Sequence, residues 1–281
     1  MLTIIAPAKI NLTLEIIGKR PDGYHEIRSV IQTLAFGDAL QISSSEQTLI
    51  SSDLTGWKAE QSLVAKAVNL LREVTCRANG ANIKINKRIP LMSGLGGDSS
   101  DAAAVLIGLN QVWELKLSLG QLQEITKQLG SDVTFFLTGG TAFMEGRGEK
   151  IIPLPPMPHQ HVVLVIPKIP AVPDKTKRLY GLITPNHYTD GTITDNVMST
   201  IKSGNRFPYP LLFNTFENVV FSKGAELTNY RDHMLKIGAP FVHLAGSGPT
   251  LFTMLKDKDQ ADDLTKKLQN YGMETYLTET R

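Results

Sequence analysis

Thiols are nearly absent: the 281-residue chain holds one cysteine, Cys76. A lone thiol closes no internal disulfide and offers no cluster for zinc. A small residue buried in a helix is the expected role for Cys76. Charge of one sign is equally scarce. The 29 Lys and Arg against 27 Asp and Glu leave a net charge of +2. There is no basic run long enough to follow a nucleic-acid backbone, which excludes nucleic acid as a partner. Long apolar runs are missing as well. The longest, such as VVLVIP at 162–167, fall far short of the ~20 residues a membrane helix needs. The N-terminal stretch MLTIIAPAKINLTLEI lacks the basic segment and apolar core of a signal peptide. Repeats and low-complexity tracts are absent too. What remains is the expectation of a cytoplasmic globular protein with no membrane partner, its core drawn from the 42% of residues that are hydrophobic.

The apolar pattern changes period along the chain. Ile10, Leu12, Leu14 and Ile16 alternate with polar residues, as in a half-buried strand. RPDGYHE (20–26) reads as a turn or loop. IRSVIQTLAF (27–36) and DALQIS (38–43) read as two strands with a Gly-Asp turn between them. Leu63, Ala67, Leu70, Leu71 and Val74 share a helical face, and NIKINKRIP (82–90) alternates again. Helices are expected over about 100–112 and 119–128, a short one within 130–140, and a hairpin over 141–154. PLPPMPH (153–159), with four prolines in seven residues, suits an extended connector. It sets two expected domains, 1–155 and 156–281. The second reads β-α-β-β-α-β: strands HVVLVIP, FVHLAG, TLFTML and METYLTE, with a helix at about 223–237 and an amphipathic one at 259–272. That is the split β-α-β, or ferredoxin-like, arrangement. Extra helical material is expected between Lys175 and Ser203.

The densest chemistry lies in PLMSGLGGDSSDAA (90–103). Pro90, Leu91, Met92, Ser93, Gly94, Leu95, Gly96, Gly97, Asp98, Ser99 and Ser100 follow a strand and lead into a helix. Free N–H groups and the positive end of the helix dipole would meet there, and glycine lets a backbone approach a phosphate. No Gly-Lys-Ser/Thr follows, and the third glycine of the dinucleotide fingerprint is missing at Ser99. The plainer alternative is a glycine turn with Ser99 or Ser100 as helix N-cap.

Two further stretches bear on it: PAKINL (7–12), with Lys9 and Asn11, and LAGSGPTLF (244–252), with Gly246, Ser247 and Gly248. In this order the three resemble the GHMP superfamily of small-molecule kinases. PAKINLTLEIIGKRPDGYHE, LGSDVTFFLTGGTAFMEGRGE, TKRLYGLI and NTFENVVF resemble the branch of that superfamily whose acceptor is a cytidine-diphosphate sugar alcohol, on the non-mevalonate route to isoprenoid precursors. The resemblance spans nearly the whole chain, thinnest at about 43–60 and 188–209. It implies an α+β, two-domain fold: an N-terminal ATP-binding domain like the second domain of ribosomal protein S5, and a ferredoxin-like C-terminal domain.

The same resemblance implies ATP and Mg²⁺ as cofactors, with ATP over the 90–100 loop, and a monomer or homodimer. The γ-phosphoryl would pass to the acceptor's 2-hydroxyl, through a loose transition state in which positioning and charge neutralisation supply most of the catalysis. Asp132 would accept the hydroxyl proton; its plainer role is N-cap after Gly130. Lys9 would lie near Asp132 and the acceptor oxygen and offset developing charge; its plainer role is an exposed strand lysine. Asn11, two residues on, shares its strand face. Tyr24 would stack on the pyrimidine and His25 hydrogen-bond its edge, with Tyr180 over the other face and Thr176 one turn before it. Gly246, Ser247 and Gly248 would complete the substrate site. Ser99 or Ser100 could touch the metal, while His159-x-His161 reads as incidental. Asp98, a carboxylate in a phosphate loop, either turns away to cap N–H groups or meet a basic side chain, or it contacts Mg²⁺. Kinases for homoserine or mevalonate derivatives lack a base to stack on Tyr24 and His25. A non-catalytic sensor would have lost Lys9 or Asp132.

Overall fold

A computed structural model describes residues 1–77, 79–170, 172–205, 207–223 and 225–281. It divides into two compact units, one of Met1–Ala8, Phe36–Leu91 and Gly96–Gly139, the other of Lys9–Ala35, Met92–Leu95 and Gly140–Arg281. Two long strands, β1 (Leu2–Lys19) and β2 (His25–Ser45), contribute residues to both.

In the first unit the C-terminal half of β2 pairs antiparallel with β4 (Gly80–Asn86), Ala39 opposite Asn86 and Ser45 opposite Gly80. Strand β3 (Leu49–Ser52) runs parallel to β4. The helices are α1 (Leu63–Thr75), α2 (Gly97–Val112), α3 (Leu119–Thr126) and α4 (Ser131–Phe136). Helix α2 packs on α1 and α4. Its residues Ala102 to Leu106 are buried in succession, as expected of a helix that is apolar all round.

The expected Gly-Asp turn at 37–38 is corrected: β2 runs through it unbroken. A β-carbon on Gly37 would lie 2.5 Å from the Ala6 carbonyl oxygen, so the glycine serves close strand approach. Asp38 is fully buried. Its carboxylate accepts from the Lys87 ammonium at 2.5 Å and from the N–H groups of Arg88 and Ile89 at 2.5 and 2.7 Å. Cys76 is also corrected. It is exposed and caps α1 in the left-handed conformation, φ 51°. The buried face of α1 is Val64, Ala67, Val68 and Leu71, and Val74 is exposed.

In the second unit the N-terminal half of β2 pairs antiparallel with β5 (Thr141–Gly146), which turns back into β6 (Lys150–Pro153) as the expected hairpin. Strand β8 (Phe213–Asn214) lies parallel to β1. Here β1 departs from the half-buried expectation. Lys9, Asn11, Thr13 and Glu15 are as buried as the alternating apolar residues. A separate antiparallel sheet runs β11 (Glu274–Glu279), β7 (His161–Ile166), β10 (Leu251–Leu255), β9 (His243–Leu244). In chain order this is 4-1-3-2, the split β-α-β topology, with α8 (Ala225–Ile237) and α9 (Lys258–Asn270) as its helices. Gly224, inside the helix expected at about 223–237, lies outside the described residues. Helices α5 (Lys175–Leu182), α6 (Thr192–Lys202) and α7 (Glu217–Lys223) fill the interval before β9. No helix among the described residues is long and apolar enough to cross a membrane.

Candidate active site

In the second unit, stretches far apart in the chain meet backbone to backbone. The Lys9 N–H donates to the Leu95 carbonyl at 2.9 Å, and the Thr250 N–H to the Ser93 carbonyl at 3.1 Å. Gly94 has φ +87°, and a β-carbon there would lie 2.2 Å from the Ala245 oxygen and 2.8 Å from the Gly248 oxygen. Only glycine tolerates both conditions. Asn214, on β8, anchors the same turn by donating to the Leu244 and Gly246 carbonyls at 2.9 and 2.8 Å.

Lys9 stands beside this junction. Its ammonium would be 3.1 Å from a β-carbon at Gly246. The alternative of an exposed strand lysine is overturned, because Lys9 is 5% exposed. Its Nζ donates to Asn11 Oδ1 at 2.9 Å, Asn11 Nδ2 to Ser29 Oγ at 2.8 Å, and Ser29 Oγ to the Thr13 carbonyl at 2.5 Å. The chain of bonds fixes the ammonium, since Lys9 and Asn11 share a strand face. Thr176 and Ser247 are also brought together, Oγ1 to Oγ, at 2.8 Å.

Lys175 was not among the residues expected from sequence. It opens α5, and its ammonium donates to the Met92 carbonyl at 2.9 Å and to the Gly248 carbonyl. It therefore ties the Gly/Ser loop to the later glycine turn. Burial, then the charge of Lys9, push its pKa down to about 8. The only sequence signal was its place next to Thr176.

The expected base-reading residues Tyr24, His25 and Tyr180 lie in the second unit. The turn before β2 is tight: the Arg20 N–H donates to the Tyr24 carbonyl at 2.8 Å, and Asp22 Oδ1 accepts from the Tyr24 N–H at 3.1 Å. Tyr24 is exposed, with the Arg147 guanidinium over its ring at 4.7 Å. His25 and Tyr180 stack on each other, centroids 5.1 Å apart and planes 19° from parallel. Tyr180 also meets Phe216 edge-on at 5.0 Å. Burial, then Lys19, hold the His25 pKa below its usual value, favouring a neutral ring with one donor and one acceptor.

In the first unit, α2 begins at Gly97, and its N-cap is Gly96 in the left-handed conformation with no side chain capping it. Ser99 and Ser100 are therefore not the cap; they lie inside the first turn, and the Ser100 N–H already donates to the Gly96 carbonyl at 2.9 Å. A first turn left uncapped by side chains keeps its N–H groups for an anion. The buried Ser100 Oγ has no hydrogen-bond partner among the described residues, which fits a hydroxyl awaiting a ligand oxygen or a cation.

Asp98 does not face that opening. Its two oxygens accept from the Leu63 N–H at 3.4 and 3.2 Å, so it holds the first N–H of α1, whose N-cap is Ser62. Burial raises its pKa, against the Leu63 bond and the charges of Lys87 and Lys66. Beneath the loop, Lys87 also donates to Asp101 Oδ2 at 2.8 Å, and its partner Asp38 completes a triad with side chains at most 2% exposed. Asp38 holds the segment entering the loop and Asp101 the helix leaving it. Asp132 is the second residue of α4, whose N-cap is Gly130 with φ 137°. Asp132 is thus not the cap, and its carboxylate lies in the first turn, where a helix dipole favours negative charge.

The family description "GHMP kinases N terminal domain" matches residues 62–140, and "GHMP kinases C terminal" matches 203–273. A 4-diphosphocytidyl-2-C-methyl-D-erythritol kinase of Dehalococcoides mccartyi is 49% identical over 280 residues, covering 100% of this chain and 98% of that protein. One from Listeria innocua is 36% identical, covering 98% and 95%. A crystal structure of a 4-(cytidine 5'-diphospho)-2C-methyl-D-erythritol kinase superposes with TM-score 0.84 at 28% identity, over 99% of both chains.

Proposed function

The chain belongs to the GHMP kinases, and within them to the 4-diphosphocytidyl-2-C-methyl-D-erythritol kinases; from that premise we propose that it transfers the γ-phosphoryl of ATP to the 2-hydroxyl of 4-diphosphocytidyl-2-C-methyl-D-erythritol. The family's fold has two domains, which we assign to 1–155 and 156–281, either side of the proline connector. The matched segments fall one in each.

The observation that carries the reading is the junction at Gly94, where the Gly/Ser loop packs on the Gly246–Gly248 turn beside the Lys9 ammonium. Phosphoryl transfer asks a protein for positioned positive charge more than for covalent chemistry. The uncapped start of α2 supplies N–H donors for ATP phosphates. Lys9, held by Asn11, offsets charge as the acceptor oxygen attacks. Asp132 accepts the hydroxyl proton. A carboxylate is a weak base for an alcohol, and a loose transition state requires little early deprotonation. Thr176 and Ser247 supply hydroxyls for the substrate. Mg²⁺, which would neutralise the phosphate oxygens, would be held by Ser100, whose hydroxyl lacks a partner among the described residues, or by Ser99.

His25 and Tyr180 favour an acceptor that carries a base. With its face on Tyr180, neutral His25 keeps its ring edge for hydrogen bonds to cytosine. Stacking Tyr180 on that base requires it to leave His25. The test is product identity: ATP and the cytidine-diphosphate methylerythritol should yield one phosphate monoester on the tertiary carbon, read by ³¹P–¹³C coupling. A product phosphorylated elsewhere sinks the reading.

A further inference from the structure

His159 and His161 lie at the mouth of β7, outside everything assigned above. Along the sequence they are an isolated pair. The fold adds a third ligand from far away, because β11 pairs antiparallel with β7 and sets Glu279 directly opposite His161. His159 Nε2 is 3.0 Å from Glu279 Oε2, the two imidazole rings are 4.9 Å apart, and one ligand atom from each of the three residues lies within 4.8 Å of the others. The backbone beneath is locked. The Gln160 N–H donates to Thr280 Oγ1 at 3.0 Å, the Thr280 N–H returns to the Gln160 carbonyl at 3.0 Å, and Gln160 Oε1 accepts from the Tyr209 hydroxyl. A rigid frame thus presents three solvent-reaching ligand groups on one patch.

We propose that His159, His161 and Glu279 bind a divalent transition-metal ion of the zinc class, with water completing the coordination. Two imidazoles and a carboxylate suit zinc, copper or nickel. Magnesium prefers six oxygen ligands, which separates this site from the nucleotide's cation. Zinc bonds of ~2.0–2.2 Å bring neighbouring ligand atoms to roughly 3.5 Å. Closing from 4.8 Å takes side-chain rotation by exposed groups and no backbone movement. The ion would pin the entry of β7 to the end of β11, and binding to the folded state alone raises its stability.

The test is equilibrium dialysis of the full chain against Zn²⁺ alone, with excess Mg²⁺ present to cover the nucleotide site, alongside thermal melts. The expected result is one zinc per chain and a higher melting temperature in zinc. Both effects should disappear in the His159→Ala/His161→Ala double variant, weaken in Glu279→Gln, and persist in His187→Ala. Equal metal-free melting temperatures show that the variants fold. Should the double variant not fold, imidazole NMR of the unaltered chain decides, with zinc shifting the His159 and His161 signals. No uptake by the unaltered chain, uptake unchanged in the variants, or shifts confined to other histidines would overturn the proposal.

Discussion

The carbonyl oxygen of Ala245 occupies the space a β-carbon on Gly94 would need, at a separation of only 2.2 Å. Two glycine-rich turns some 150 residues apart are thereby packed main chain to main chain. Gly94→Ala should cost more than ~2 kcal/mol, because clash and left-handed strain add, and should remove turnover at temperatures where the variant still folds. Gly120→Ala is the control. Gly120 lies in α3 with open space around it, so alanine should be neutral or stabilising by ~0.5–1 kcal/mol. Thermal melts and turnover measured on both variants check the contrast.

Lys175 makes a pH prediction. Its pKa is lowered to about 8 by burial and Lys9, so the ammonium clasping Met92 and Gly248 is lost as pH rises past that value. kcat/KM should fall above pH ~8 in the unaltered enzyme and stay flatter in Lys175→Arg, since arginine remains charged. Stability carries the opposite sign. The unfolded chain binds more protons between the two pKa values, so this group's penalty fades as pH rises through them. Lys175→Met should lower kcat/KM by about tenfold or more, ~1.4 kcal/mol, below pH ~8, with the gap closing above that value as the wild-type ammonium is lost. A pH–rate profile of the three proteins separates these outcomes.

The Lys87 triad predicts asymmetric mutants. Lys87→Met strands the buried Asp38 carboxylate and removes the donor to Asp101, and should cost about 3–5 kcal/mol. Asp101 has its pKa raised, mainly by burial and secondarily by Asp38 against the opposing pull of Lys87, to about 8. The unfolded chain therefore gives up that proton first, and stability falls as pH rises from ~4 toward ~8. Asp101→Asn should flatten that slope at modest cost. Urea midpoints at both ends of the window check it.

Asp98 accepts from the first N–H of α1, so Asp98→Gly should lose ~0.5–1.5 kcal/mol of stability while leaving the Mg²⁺ dependence of turnover unchanged. A weakened Mg²⁺ response with unaltered melting would return the carboxylate to the metal.

The second sheet and its helices were legible from period alone, since its strands are short and bounded by turn residues and two of them, β7 and β10, are apolar runs. The Gly/Ser loop was legible as the entry to a helix because its glycines precede an apolar run. Other features depended on distant partners. Gly37-Asp38 has the composition of a turn; only the close approach of Ala6 and the pairing with Lys87, 49 positions away, make it strand. Lys9 looked exposed because alternation cannot reveal a strand buried on both faces. Lys175 carried no pattern at all; its role comes from two carbonyls 83 and 73 positions away. Ser99 and Ser100 had capping chemistry, yet the left-handed cap position required glycine.

The central claim is the acceptor. Compare kcat/KM with ATP for the cytidine-diphosphate methylerythritol, homoserine and mevalonate phosphates. The account predicts turnover of the first alone, abolished by Lys9→Met and sharply reduced by Asp132→Asn. Turnover of homoserine or a mevalonate phosphate in preference to the cytidine-diphosphate acceptor would contradict it.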